Sequence, residues 1–256
     1  MKRRARIEVT ALCGLAAALV ATARCGDAGD TTGRVRVTFP VTVRGINPTS
    51  DNATGWHVVV EEARVAVGPL RWYEGPPIFA RRLFQFGVAF AHPGHYVPGE
   101  ALADITSQRV VDLTAASPTP LEDATGVSGD ALSATFELRP PGSALGPSAA
   151  GLHGLALWTR GTATRAGVTV RFEGGVAVDY AVRGIPARAT FASGGSAAVA
   201  VDLAQWFDRA DFATLTAGAD GTAQISAGSE VANGLYRGAT SGAAYLFSWR
   251  ASAPDR

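Results

Sequence analysis

From residue 34 to residue 44 apolar and polar side chains alternate without interruption. Val35, Val37, Phe39, Val41 and Val43 take one face; Arg34, Arg36, Thr38, Thr42 and Arg44 take the other. A period of two predicts a half-buried strand, because successive Cβ atoms of a strand point to opposite faces. Pro40 falls on the polar face and has no N–H for a neighbouring strand, so it marks an edge position or a bulge. A chain that opens this way needs a second layer to cover its valine face.

The remainder supplies further strands. Residues 56–67 carry Val58, Val60, Ala63, Val65 and Val67, with a slip of phase at Glu61-Glu62 that predicts a bulge. Gly68-Pro69 predicts a turn before a short strand, Leu70-Arg71-Trp72-Tyr73. Strand patterns recur at 105–113, 133–138, 155–162, 168–172, 176–182, 187–191, 197–203 and 245–249. Glu173-Gly174-Gly175 and Ser193-Gly194-Gly195 read as turns between neighbours, and 114–130 and 140–151 as loops. Residues 76–90 are apolar and aromatic but fit no period. Two stretches break the alternation. Residues 203–209 read as one helical turn. Val231, Leu235, Ala239 and Ala243 at i+4 spacing predict a helix, against which Gly234, Gly238 and Gly242 each cost about 1 kcal/mol. Many short strands without βαβ alternation imply an all-β fold, an antiparallel β-sandwich with a few short helical turns, as a single domain over 26–256.

The first 25 residues read as an export signal. Lys2, Arg3, Arg4 and Arg6 precede an apolar run over 9–20, which is shorter than the roughly 20 residues of a membrane span. Ala21-Thr22-Ala23 is a cleavage site of A-x-A type. Cys25 stands where a bacterial lipoprotein carries its acylated cysteine, although Arg24 occupies a position that such sites give to a small residue. Cleavage after Ala23 and lipidation of Cys25 are both open. The expected location is the periplasm or an outer-membrane-anchored cell envelope, with a membrane contact only through that N-terminal lipid. Cys13 and Cys25 are the only cysteines, so no disulfide staples the domain and its core must hold it.

Charge narrows the function. Five of the 23 basic residues and one of the 22 acidic residues precede Gly26, which leaves a net charge of −3 beyond it. With no basic block, nucleic acid is excluded as a partner; no protein partner is legible. Nucleophile elbows, P-loops, dinucleotide fingerprints and zincin helices are absent from the sequence.

One motif carries chemistry. His92-Pro93-Gly94-His95 has the residue order of a type II turn, which brings its outer Cα atoms within about 7 Å. Two imidazoles so placed can converge on one ion, and further donors can come from His57, His153 or Glu100, with Tyr96 and Asp104 also near in sequence. Beyond the signal there is no Met or Cys, so the donors are nitrogen and oxygen, which suit zinc or Cu(II). The alternative is that Pro93-Gly94 simply turns the chain. Trp56 and His57 are adjacent in a strand and take opposite faces; with Trp56 inward, His57 is solvated.

The layout of a signal with a near-terminal Cys, an opening strand over 35–43, a Trp-led strand ending Gly-Pro-Leu-Arg-Trp-Tyr and a later Asp-Leu-Ala-Gln-Trp-Phe resembles bacterial envelope lipoproteins. Within these it is loosely similar to the periplasmic copper-binding proteins associated with methanobactin systems. The resemblance implies a β-rich fold in the envelope and metal binding; in that family copper is held by His and a modified Trp. Trp56-His57 does not map onto that site residue by residue, and Leu246-Phe247-Ser248-Trp249 only approaches the family's ending.

The expectation is an exported, non-enzymatic protein binding zinc or copper through His92 and His95. The alternatives are an adhesion or carbohydrate-binding module that uses Trp56, Trp72, Tyr73, Trp158, Trp206 and Trp249, and a metal-dependent hydrolase.

Overall fold

A computed structural model describes residues 33–77, 98–192 and 194–252. The chain divides at Gly33, and the unit that begins at Arg34 holds all the elements below. His92 and His95, the export signal and Cys25 lie outside the described residues.

The opening alternation forms two strands, β1 (Arg36–Phe39) and β2 (Val41–Ile46), with Val37, Phe39, Val41 and Val43 buried. The break falls at Pro40. Its missing N–H ends one ladder, while its carbonyl accepts from the Ala197 N–H at 3.0 Å and starts another. Residue 40 is thus where the chain passes from one sheet to the next. Val35, on the same face by parity, is exposed because it precedes the first ladder.

The strand that follows a short β3 (Thr49–Asp51) is the spine of the larger sheet. This β4 (His57–Tyr73) runs for 17 residues. The bulge expected at Glu61-Glu62 is present: Glu62 faces Arg160 and Val60 faces Gly161, so Glu61 has no opposite number. The turn expected at Gly68-Pro69 is absent. The ladder to the strand on that edge slips between Val67 and Leu70 and then resumes, so the pair bends β4 without ending it.

Beyond β4 come β5 (Ala101–Ile105), β6 (Arg109–Asp112), β7 (Thr119–Pro120), β8 (Ala124–Val127) and β9 (Gly129–Leu138). The stretch 105–113 is therefore two strand pieces, and the presumed loop 114–130 carries two short strands. A 3-10 segment, Ser143–Leu152, leads to β10 (Leu157–Arg165) and β11 (Val168–Val176). These two form a hairpin closed by Ala166-Gly167, both at positive φ as a two-residue primed turn requires. Glu173-Gly174-Gly175 does not turn; it stays in β11, paired with Arg160, Thr159 and Trp158.

The last third holds β12 (Tyr180–Phe191), β13 (Ser196–Asp202), α1 (Leu203–Phe207), β14 (Thr222–Ile225), α2 (Glu230–Ala239) and β15 (Tyr245–Arg250). Asp202 caps α1 through the Ala204 N–H, and Ser229 caps α2 through the Ala232 N–H. Val231, Leu235 and Ala239 of α2 are buried, as their spacing predicts.

Strands dominate, as expected, but they are not all antiparallel. They form two mixed sheets. The larger runs β1-β8-β5-β4-β10-β11-β14, with β9 and β12 joined through β4; the smaller runs β15-β13-β2-β7. The parallel pairs are β2 with β13 and β11 with β14. Alternation specifies which face a residue takes and is silent on the direction of the neighbouring strand, so these pairs had no sequence signal. Phe39, Trp72 and Phe191 of the larger sheet meet Phe247 and Trp249 of the smaller one edge to face, with ring centroids 4.9–5.8 Å apart.

Candidate functional site

The 92–95 motif belongs to the connection between β4 and β5, and the structure describes the two ends of that connection. The Glu74 N–H donates to the Glu100 carbonyl at 3.1 Å, and the Gly75 N–H to the Pro98 carbonyl at 2.8 Å. Ser133 of β9 donates to the Gly75 carbonyl at 2.7 Å. Arg34 spans the same place: its guanidinium is 3.0 Å from the Glu100 carboxylate and bonds to Glu74 as well. The outgoing and returning chains are thus pinned together beside two carboxylates that share one cation.

The other sequence candidates lie elsewhere. His57 is exposed at the start of β4, with Nδ1 2.7 Å from the Asp51 carboxylate across the β3–β4 ladder. Trp56 beside it is 2% exposed, so the two take opposite faces as their adjacency dictates. His153 follows the 3-10 segment with φ 51° and packs its ring 5.6 Å from that of Trp158. Trp158 is six residues along β10 from Thr164, the residue facing His57. At about 3.3 Å per residue that is about 20 Å of strand. Glu100 stands at the opposite end of β4 from His57. The structure therefore does not bring His57, His153 and Glu100 together.

Among the described residues no three His, Cys, Asp or Glu side chains are grouped to hold a metal ion. His57 and Glu100 are in addition engaged by Asp51 and Arg34. The described donors alone do not assemble a site for zinc or copper.

A polar knot that sequence reading missed surrounds Trp56. The Asn52 amide donates to the carbonyls of Phe207 and Ala210 at 3.0 and 2.8 Å. Its oxygen accepts from the backbone N–H groups of Thr54 and Trp56 and from the Thr54 hydroxyl. Trp56 Nε1 donates to Asp211 at 2.9 Å, and the Arg165 guanidinium lies 4.4 Å above the Trp56 ring. The Ala213 N–H and then the indole N–H hold the Asp211 carboxyl below its ordinary range; partial burial opposes them and the Arg165 charge adds to them. Here β10 and the stretch after α1 clamp the β3–β4 turn. The available signal was Asn52 in a turn next to a Trp, but its partners lie about 155 residues away.

The aromatics proposed for a sugar surface are largely internal. Trp56, Trp72 and Trp206 are at most 2% exposed, and Trp249 packs on Phe39 and Phe191.

No protein-family model and no curated protein matches the chain. Among solved structures it is similar to MbnP from Methylosinus trichosporium, over 86% of this chain and 99% of that one, at 11% identity and a TM-score of 0.40. At that identity no residue here takes a role from it.

Proposed function

We propose that this chain is an exported, non-enzymatic protein of the cell envelope that binds zinc or copper through the His92-Pro93-Gly94-His95 turn. The observation that carries the reading is the motif itself, on a connection whose ends are pinned next to Glu100. His95 is five residues from Glu100, so their Cα atoms can lie no more than about 18 Å apart. That makes Glu100 the natural third donor, to be released from Arg34 on binding. The sequence resemblance to methanobactin-associated copper proteins favours copper. Binding or delivery is the role, in keeping with a sequence that carries no nucleophile-elbow or zincin motif. Export rests on the basic and apolar pattern before Gly26; the mass of the secreted protein distinguishes acylation of Cys25 from cleavage after Ala23.

The test is calorimetric titration of the chelator-stripped protein with Zn²⁺ and with Cu²⁺. The expected result is one-to-one, submicromolar binding of one ion. The His92→Ala/His95→Ala variant should bind about 100-fold more weakly or not at all, a change of about 2.7 kcal/mol or more. Absence of binding, or binding indifferent to the double change, refutes the metal reading.

A further inference from the structure

The β4, β9 and β12 strands lie side by side in the larger sheet, and their registers pair Arg71 with Thr135 and Ala181 with Glu137. Alternate residues of a strand share a face. Arg71 and Tyr73, Thr135 and Glu137, and Ala181 and Arg183 therefore stand together, while the interleaved Trp72, Phe136 and Val182 enter the core. A cleft of about 240 Å³ is lined by those six residues and Pro98. At about 30 Å³ per water it has room for roughly eight waters, or for a small organic or inorganic acid.

The charges in and around the cleft do not balance. Glu137 is 3% exposed and faces two guanidiniums: Arg71 Nη1 donates to it at 2.6 Å, and Arg139 is ion-paired with it from the other side. Arg139 also lies 3.7 Å from Asp179. Arg183 is exposed and makes no ion pair among the described residues. Arg71 has five N–H groups and gives one of them to Glu137. The nearby carboxylates of Glu74 and Glu100 are taken by Arg34. Residues 78–97, which join β4 to β5, contain Arg81 and Arg82 but no Asp or Glu, so that connection has no carboxylate to offer.

We propose that this cleft binds a small oxyanion, held by Arg183 and the remaining N–H groups of Arg71, with hydroxyls from Tyr73 and Thr135. A guanidinium presents its N–H groups as a planar fork that matches two oxygens of a carboxylate or a phosphate. Glu137 is the positioning residue: buried and bonded to Arg71, it fixes the plane of that guanidinium. The proposal stands apart from the metal reading, because none of its residues is a metal donor there.

The test is calorimetric titration of the chelator-stripped full chain, at near-physiological sodium chloride, with inorganic phosphate and separately with succinate. The expected result is saturable one-to-one binding of at least one of them. The tighter of the two assigns the ligand as a phosphoryl compound or a carboxylic acid. Arg183→Gln should weaken binding about tenfold, the scale of one charge-assisted contact. Arg171→Gln removes the same charge from an exposed position on β11 outside the cleft and should leave affinity within about twofold. Both side chains are exposed, so both variants keep the fold. Lack of saturable binding of either anion, or equal loss in the two variants, overturns the proposal.

Discussion

Asp211 shows how much one side chain does in this molecule. Its carboxylate accepts from the Ala213 N–H at 3.0 Å and from the Trp56 indole at 2.9 Å, with Arg165 at 3.6 Å. These contacts favour the charged form, so the carboxyl titrates below its ordinary value of 3.8. A carboxyl lowered by folding contributes stability that is complete above its unfolded value and is lost as pH falls through its folded value. The group is 39% exposed, so solvent screening keeps the contribution small. Asp211→Asn should therefore be less stable than the parent at pH 7, and the gap should close on acidification below about pH 4. Urea midpoints at neutral and acid pH measure this. A gap that stays constant with pH would mean the indole bond acts by geometry alone. None of it was legible beforehand: Trp56 and Asp211 look like an ordinary core residue and an ordinary surface acid until the fold joins them.

At the scale of elements, the sequence spoke clearly wherever a side chain's face was the question. The bulge at Glu61, the helical turn that begins at Leu203 and the buried stripe of α2 all follow from alternation, its interruption or i+4 spacing, whereas Pro40, expected as an edge or bulge inside one strand, divides two strands of different sheets. The sequence misled at two places where glycine was taken as punctuation. Glu173-Gly174-Gly175 and Gly68-Pro69 lie inside strands. By propensity the α2 glycines cost the helix stability, and the structure gives them a purpose. A Cβ on Gly238 would stand 2.4 Å from the carbonyl oxygens of Gln205 and Trp206, and one on Gly234 2.6 Å from the Ala210 Cα. These bare positions let α2 cross closely over α1. Helix propensity alone would make Gly238→Ala stabilising by about 1 kcal/mol. The contact with backbone oxygens makes it destabilising instead, by about 1–3 kcal/mol, since the two helices must move apart. A thermal or urea denaturation midpoint gives the sign directly. His92-Pro93-Gly94-His95 is plain as a sequence, but the companions expected for it are not gathered by the fold, because His57, His153 and Glu100 are separated by strand contour and not by residue number.

For the whole molecule the question is what makes two mixed sheets unfold as one. Disulfides do not link them, since Cys13 and Cys25 are the only cysteines and both precede the described residues. The links are the repeated crossings of the chain between the sheets, the tightest of them at Pro40, and the aromatic seam around Phe39. That ring is 1% exposed and touches Trp72, Phe191 and Trp249, so it has partners in both sheets. Its position adds leverage, because the next residue but one belongs to the other sheet. Phe39→Ala removes a buried ring where strands from both sheets converge, and the neighbours, themselves large and planar, cannot collapse into the space. The expected cost is about 3–5 kcal/mol, the range for emptying a buried aromatic position. Unfolding should be followed by tryptophan fluorescence, to which Trp72 and Trp249 of the seam contribute together with Trp56, Trp158 and Trp206, and by far-ultraviolet circular dichroism, which reports all strands. If the seam couples the sheets, the parent shows coincident transitions and Phe39→Ala lowers both together by the full cost. A variant that lowers only the fluorescence midpoint, by less than about 1 kcal/mol, would mean the sheets are held by their shared chain and not by the seam.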